Sequence, residues 1–281
     1  MLEKILKSLE SYPRWHTRIL RSSYNLISSF DRRANLRFMN LGYADLDSKD
    51  VNSKVDEEEE FHRFGIRLYQ HVADTIDWKG LRGLEIGSGR GGGVANIKHD
   101  QKPDSLIGLD LADKTVEFCH THYDMNGLYF IQGNALHLPF CDNSFDVIIN
   151  IESALHYSDD TGFLSEVVRV LKPNGFFLYA DLRTRDDLSK IRGLVQQLGL
   201  LCLREENITE NVLHALNLDN TRKQQFIRRY VPFLFRRIVY EIAGMRGTNL
   251  IYNRLLQGEL VYFNFILKKT VTDYPSPKGL L

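Results

Sequence analysis

The chain has 281 residues, of which 43% are hydrophobic and 26% are charged, as in an ordinary globular protein of one large α/β domain or two smaller ones. Its 36 Lys and Arg residues balance 36 Asp and Glu residues, which argues against nucleic acid as a partner, because nucleic-acid-binding chains usually carry a basic excess. Three scattered cysteines, no apolar run of membrane-spanning length and no signal-peptide pattern predict a cytoplasmic protein with neither a disulfide framework nor a metal site.

The first part of the chain predicts two helices followed by a loop. Apolar residues recur at helical spacing over 2–9, and Pro13 can open a second helix that runs towards Phe30. Residues 40–56 are polar and rich in turn formers, so we expect a loop there. We therefore take 1–56 as an N-terminal helical or lid segment. Its basic helices also raise the hypothesis of peripheral membrane contact.

After an acidic run that is expected to begin a helix from about residue 58 to 76, the pattern changes. From residue 81, short apolar runs of strand type alternate with helical segments. The runs are RGLEIG (82–87), SLIGLDL (105–111), LYFIQG (128–133), FDVIINI (145–151), GFFLYADL (175–182) and GELVYFNFILKK (258–269). Helices are expected near 92–99, 113–125, 160–171 and 185–198. This alternation predicts a doubly wound parallel sheet with helices on both faces.

A second helical stretch is expected near 207–246, before the last strand. Its segment 222–244 mixes arginine pairs with apolar side chains, which is typical of an amphipathic helix packed on the sheet. Alternatively, its apolar residues line a tunnel for a hydrophobic acceptor, or the helix lies on a membrane surface. Pro232 should interrupt the helix.

The stretch LEIGSGRGGG (84–93) marks the candidate ligand site, because doubly wound sheets bind ligands beyond the carboxyl ends of their strands. Gly87, Gly89 and Gly92 satisfy the GxGxxG dinucleotide fingerprint. Asp110 ends the next strand, where its carboxylate can accept hydrogen bonds from ribose hydroxyls. On this pattern NAD is a candidate cofactor.

Glu85 favours a different cofactor. A carboxylate two residues before the first glycine would repel a bound pyrophosphate, whereas it would attract a cation. S-adenosylmethionine carries a sulfonium and an α-amino group and has no phosphates. The residues therefore favour S-adenosylmethionine over NAD without excluding the dinucleotide.

Five stretches in chain order resemble the motifs of the class I S-adenosylmethionine-dependent methyltransferases. They are LEIGSGRGGG (84–93), GLDL (108–111), GNALHLPF (133–140), SFDVIINIES (144–153) and EVVRVLKPNGFF (166–177). Outside this core, MNLGY (39–43), YADLR (179–183) and GTNLIYNRLLQGELVYF (247–263) resemble the phthiotriol/phenolphthiotriol dimycocerosate methyltransferases. Those enzymes O-methylate a hydroxyl group on a long lipid, and natural-product O-methyltransferases share their core.

The resemblance implies an α/β fold with a Rossmann-like, seven-stranded, doubly wound sheet whose last strand is antiparallel. N-terminal helices would precede it, and a helical insertion would come before the last strand. The methyltransferase domain would span 57–281, with a helical substrate cap at about 207–246.

The resemblance also implies S-adenosylmethionine as cofactor and a set of contact residues. Tyr43 would close over the cofactor, and Asp110 would bind the ribose diol. Asn134 stands where the family usually has aspartate, and its amide oxygen can still accept from the adenine amino group. The full predicted set is Tyr43, Glu85, Gly87, Gly89, Asp110, Asn134 and Glu152; Glu152 could bind cofactor, substrate or a backbone amine.

His156 follows the fourth strand at the end of the sheet where the cofactor is expected. A neutral histidine is a suitable general base near physiological pH, and Asp181 at the end of the fifth strand could orient its ring. A loop histidine that caps the next helix is the structural alternative.

These residues predict methyl transfer from S-adenosylmethionine to a hydroxyl group of a small-molecule or lipid-like acceptor. Carbon or nitrogen methylation, an NAD-dependent oxidoreductase and a non-catalytic cofactor-binding subunit are the alternatives. The sequence makes no prediction of oligomeric state.

Overall fold

The computed structural model describes residues 36–47 and 57–270. The helices predicted over 1–35 and the part of the predicted loop from 48 to 56 lie outside the described residues. Residues 40–47 contain neither helix nor strand, as expected for the described part of that loop.

Strands and helices alternate from residue 57 to residue 197, except that β3 and β4 follow each other without a helix, as the apolar pattern predicts. The strands are β1 (Arg82–Ile86), β2 (Ser105–Asp110), β3 (Leu128–Gln132), β4 (Phe145–Ile151), β5 (Leu171–Thr184), β6 (Leu200–Asn207) and β7 (Leu260–Lys269). The helices are α1 (Glu57–Ala73), α2 (Gly92–Asp100), α3 (Asp113–His122), α4 (Asp160–Val170), α5 (Arg185–Gln197), α6 (Thr209–Tyr230), α7 (Phe233–Ile242) and α8 (Tyr252–Leu256). A single 3₁₀ turn, Ala154–His156, follows β4.

The seven strands form one sheet in the order β3-β2-β1-β4-β5-β7-β6. β1 pairs in parallel with β2 on one side and with β4 on the other, so the strand order reverses beside β1. β7 runs antiparallel between β5 and β6. The predicted fold class is confirmed, and the reversal point beside β1 is where such sheets bind ligands.

Apolar layers cover both faces of the sheet. One contains Leu68 and Trp78 with strand residues such as Val147, and the other contains Ile148 with Phe163 from α4. Burial on both faces explains why β4 reads as a nearly continuous apolar run instead of an alternating one.

The strand β6 was not located by its sequence. It lies at the edge of the sheet, most of its residues are exposed, and its second half is charged. An edge strand that buries so little needs no apolar run, so the hydrophobic signal is missing. β5 also begins earlier than predicted, at Leu171, through an irregular pairing with β4.

The insertion before β7 breaks at Pro232, as predicted. α6 ends at Tyr230 and α7 begins at Phe233, because proline lacks an N–H group and excludes the helical turn before it. Within the described ranges, no helix has the length and apolar character needed to cross a membrane. Lateral contact of this insertion with a membrane surface stays a prediction.

Candidate active site

A cavity of about 600 Å³ lies at the carboxyl ends of the first strands, at the reversal point of the sheet. It has room for a nucleoside-sized ligand. The predicted residues in its wall are Gly87, Gly89, Asp110, Asn134, Glu152 and His156.

The first two glycines of the loop have backbone conformations that other residues rarely adopt. Gly87 has a φ of 77° and Gly89 a φ of 51°. A Cβ atom on Gly87 would fall on the hydroxyl of Ser153, and one on Gly89 would lie 2.9 Å from Met39 Cε. These two positions require glycine for the turn and for close packing.

The later glycines serve contacts inside the chain. A Cβ atom on Gly92 would lie 2.7 Å from the carbonyl oxygen of Arg37 and 2.9 Å from the ring of Phe38, and one on Gly93 would collide with the ring of Tyr69. The glycine-rich run therefore accommodates two neighbouring segments of the protein as well as a ligand.

Replacing Gly93 by alanine should lower the stability of the protein. The new methyl group would displace the Tyr69 ring, and overpacking of this kind costs about 1–3 kcal/mol. We expect a Tm lower by several degrees in a thermal melt. Gly193→Ala in α5 is the control, because a Cβ atom on Gly193 has no neighbour within 4 Å. An unchanged Tm for Gly93→Ala would contradict this account.

Glu85, the next-to-last residue of β1, is 0% exposed and is not itself in the cavity wall. Its Oε1 accepts a hydrogen bond from the Tyr69 hydroxyl at 2.5 Å, and Tyr69 lines the cavity. Its Oε2 has no hydrogen-bond partner among the described residues. Burial raises the pKa of the carboxyl group to about 8. A buried carboxylate with a free oxygen is suited to a cationic ligand group, which would restore its ionised form.

Asp110 lies in the cavity wall at the end of β2. Its Oδ2 accepts from the Gly89 N–H at 2.9 Å, and its Oδ1 accepts from the Ala112 N–H at 2.9 Å. A carboxylate has about four acceptor positions, so both oxygens can still accept from a ligand diol. Burial raises the pKa of Asp110, while these N–H donors lower it.

Asn134 lies in the cavity wall, and its side-chain oxygen accepts from the Leu136 N–H at 3.0 Å. This bond shapes the loop after β3 in the manner of an Asx turn. The same oxygen keeps a second lone pair for a ligand.

His156 lines the cavity at the end of the 3₁₀ turn, but Asp181 does not orient its ring as predicted. Among the described residues, the buried Asp181 carboxylate accepts from the Leu155 N–H at 2.8 Å and from Arg183 at 3.0 Å, and not from the imidazole. Asp181 therefore holds the backbone of the turn on which His156 stands. The reason is geometric: Asp181 is fully buried in β5, and its Oδ2 is occupied by the Leu155 N–H and the Arg183 guanidinium.

Glu152 directly follows β4, adopts a left-handed conformation with a φ of 49°, and lines the cavity. Of the three partners considered from sequence, the structure shows the backbone one, as an amide N–H: Oε1 accepts from the Leu41 N–H at 2.8 Å. The same atom accepts from the Tyr262 hydroxyl at 2.8 Å. Burial raises the pKa of Glu152 to about 7.

Tyr43 does not line the cavity, contrary to the role expected of it. Its ring stacks on His71 of α1 with centroids 4.2 Å apart, and its N–H donates to the Phe64 carbonyl at 3.0 Å. Packing against α1 thus holds the ring outside the cavity wall. Residues 37–40, just before it, line the cavity instead.

The helical insertion also lies away from this cavity. No described residue of α6 or α7 is in its wall, so the expected apolar tunnel is not part of it. Buried residues of α6, including Val212 and Leu216, pack in the core that contains Tyr262 of β7. Phe233 at the start of α7 is 80% exposed.

Sequence reasoning missed several cavity residues: Arg37, Phe38, Met39, Asn40, Tyr69, Arg90 and Ser153. The motif MNLGY marked the right segment, but the aromatic residue of this segment that lines the cavity is Phe38 and not Tyr43. Tyr69 carried no local signal, because it is one aromatic residue within an amphipathic helix.

Two carboxylates suit a cationic ligand with a ribose: Glu85, whose free oxygen lies behind the cavity residue Tyr69, and Asp110 in the cavity wall, although Arg37 and Arg90 also line the cavity. Comparison with known proteins agrees. A family model described as a methyltransferase domain matches residues 84–179. The phthiotriol/phenolphthiotriol dimycocerosates methyltransferase of Mycobacterium tuberculosis is 32% identical over 255 residues, which cover 90% of this chain and 93% of the relative. The chain belongs to the S-adenosylmethionine-dependent methyltransferases.

Two further matches extend this assignment. The fatty-acid O-methyltransferase of Mycolicibacterium smegmatis is 34% identical over 199 residues, which cover 71% of this chain and 72% of that protein. The crystal structure of a geranyl diphosphate C-methyltransferase from Streptomyces coelicolor A3(2), in complex with Mg²⁺, geranyl diphosphate and S-adenosyl-L-homocysteine, shares the fold at a TM-score of 0.66 and 15% identity. That match covers 91% of this chain and 98% of the other.

This methyltransferase is therefore an enzyme whose cofactor is S-adenosylmethionine. The GxGxxG pattern left both NAD and S-adenosylmethionine open as cofactors. The family assignment decides for S-adenosylmethionine, which Glu85 had also favoured. The NAD-dependent oxidoreductase is set aside.

Proposed function

We propose that this methyltransferase transfers a methyl group to an oxygen atom of a lipid-like acceptor. The observation that carries the proposal is that His156 lines the same cavity as the glycine loop and Asp110. Methylation of an alcohol requires a general base beside the bound methyl donor, because the hydroxyl proton of the alcohol must leave as its oxygen is methylated. A lipid-like acceptor is also supported by the names of two relatives, one of which refers to dimycocerosates and the other to a fatty acid.

S-adenosylmethionine supplies an activated methyl group on a positively charged sulfur. In the proposal, Glu85 binds the cationic methionine end, Asp110 binds the ribose diol and Asn134 accepts from the adenine amino group. Gly87 and Gly89 allow the close backbone approach. His156 takes the proton from the acceptor hydroxyl, and Asp181 holds its turn through the Leu155 N–H.

We further propose that residues 1–56 act as a lid segment and that 57–281 form the catalytic domain. The helical insertion at about 207–246 would be its substrate cap. Contact of 37–40 with the cavity supports the lid, whereas α6 and α7 approach the acceptor only if it extends beyond this cavity.

A transfer assay with methyl-labelled S-adenosylmethionine tests the acceptor class. We expect labelled ether from long-chain alcohols or labelled ester from fatty acids, and no transfer to short polar alcohols of equal concentration. Hydrolysis in mild alkali separates the two products, because an ester releases label as methanol and an ether does not. Label retained on carbon or nitrogen would replace this proposal with the C- or N-methyltransferase alternative, and cofactor binding without any product would favour the non-catalytic one.

A further inference from the structure

A short segment of the chain, residues 36–44, lies across the glycine loop; we name it the strap. Phe38 packs on Gly92 and on Gly65 of α1, and Met39 packs on Gly89. Residues 37–40 form part of the cavity wall. The strap thus closes the side of the cavity next to the loop that binds the cofactor.

Both polar groups of one strap residue, Leu41, are held by charged side chains. Its N–H donates to Glu152 Oε1 at 2.8 Å, and its carbonyl oxygen accepts from Lys223 Nζ at 3.3 Å. These side chains come from the residue directly after β4 and from the middle of α6, 111 and 182 residues away. Leu41 therefore ties the strap to the sheet and to the insertion at one residue, and Asn211 of α6 adds a second tie through two hydrogen bonds with the backbone of Ala44.

The surroundings of Glu152 reinforce this contact. Tyr262, 0% exposed on β7, donates its hydroxyl to the same Oε1 at 2.8 Å. Glu152 itself adopts a φ of 49°, a left-handed conformation that is strained for a residue with a Cβ atom. Strained residues of this kind persist where surrounding contacts hold them, and they concentrate at functional sites.

We infer that Glu152, Tyr262 and Lys223 form a clamp on Leu41 that holds the strap over the glycine loop, and that the cofactor enters and leaves when this clamp opens. These three are positioning residues, because they act on the cofactor through the strap. The inference deepens the lid role proposed for residues 1–56 and rests on cofactor binding, but it does not rest on the proposed acceptor chemistry, so the clamp and the acceptor chemistry can fail independently.

The charge of Glu152 controls the clamp. An ionised carboxylate accepts two hydrogen bonds more strongly than a neutral carboxyl group, and it attracts Lys223. The groups that act on it come from four elements: Tyr69 of α1, Asp181 of β5, Lys223 of α6 and Tyr262 of β7. Asp181 raises its pKa and Lys223 lowers it, but burial dominates and brings the pKa to about 7. The clamp is therefore strong above pH 7 and weakens as the pH falls through 7.

The test measures the dissociation rate of labelled S-adenosylmethionine in a chase with unlabelled cofactor, from pH 6 to pH 8.5. In the wild type we expect the rate to rise several-fold as the pH falls through about 7. Glu152→Gln should dissociate roughly tenfold faster at pH 8, as expected on losing a charge-assisted hydrogen bond, and its rate should no longer depend on pH near 7. Lys223→Met should change the rate in the same direction.

Asp146→Asn is the matched control at the opposite end of the same strand. Asp146 also accepts from a backbone N–H, that of Arg82 at 3.0 Å, and from a lysine, Lys172 at 2.8 Å. This variant should lose stability and keep the wild-type dissociation rate and pH profile. Hydrogen exchange of strap peptides containing Leu41, corrected for the intrinsic pH dependence, should be faster in Glu152→Gln and Lys223→Met only.

The inference is overturned if Glu152→Gln and Lys223→Met both show the cofactor dissociation rate and the hydrogen exchange of the wild type. If Glu152→Gln does not fold, Lys223→Met and the wild-type pH profile decide. A dissociation rate that is flat between pH 6 and pH 8.5 in the wild type also contradicts a clamp that depends on Glu152.

Discussion

Glu85→Gln should weaken binding of S-adenosylhomocysteine about 100-fold, and more for S-adenosylmethionine. The substitution keeps the shape of the side chain and its acceptor for the Tyr69 hydroxyl, but it removes the negative charge. Truncating one partner of a buried charge pair costs about 2–5 kcal/mol, and 100-fold corresponds to about 2.7 kcal/mol. Isothermal titration calorimetry of both ligands measures the loss.

The same substitution should stabilise the ligand-free protein at alkaline pH. In the folded protein burial raises the pKa of Glu85 from 4.5 to about 8, so between these values the folded state binds a proton that the unfolded state releases. Stability from this group is thus fully present below about pH 4.5 and is lost as the pH rises to about 8. Glutamine has no proton to lose. The Tm of Glu85→Gln relative to the wild type should therefore rise between pH 5 and pH 8.

The two effects have opposite signs, which separates a ligand-binding role from general damage to the fold. Glu152, whose pKa is also raised, titrates in both proteins, so the difference between their melting curves isolates Glu85. Glu85→Asp, which keeps the charge on a shorter side chain, is the control for charge. If Glu85→Gln binds S-adenosylhomocysteine with wild-type affinity, Glu85 is not a cofactor-binding residue.

His156→Ala should lower kcat for an alcohol acceptor by about 10²–10⁴-fold, the usual contribution of a general base. Affinity for S-adenosylhomocysteine should stay within about threefold, because no cofactor contact is assigned to the imidazole in this proposal. Single-turnover transfer from labelled cofactor measures the chemical step, and calorimetry measures the affinity.

The matched control is His99→Ala, which removes a histidine of α2 whose side chain is 79% exposed. It should leave both quantities unchanged. A fatty-acid acceptor provides a second comparison: a carboxylate is already deprotonated at neutral pH, so its methylation should depend far less on His156. Unchanged alcohol turnover in His156→Ala, with a folded protein, would eliminate the base role.

The sequence by itself determined six of the seven strands, the glycine loop and the family. Apolar runs such as FDVIINI predict buried strands because burial on both faces selects apolar residues at every position. Gly87 and Glu85 are recognisable because a tight turn and a nearby charge act over a few residues. The break at Pro232 is equally local, since proline cannot donate the hydrogen bond that a helix needs.

Only the tertiary structure decided which side chains meet. It placed Asp181 on the Leu155 N–H instead of on the imidazole, turned Tyr43 towards His71, and tied Leu41 to Glu152. It also located β6, whose exposed residues need no apolar run. A local sequence pattern indicates which side chains of one segment are buried. Hydrogen bonds between residues more than 100 positions apart depend instead on how the packed elements align. No short stretch of sequence encodes that alignment.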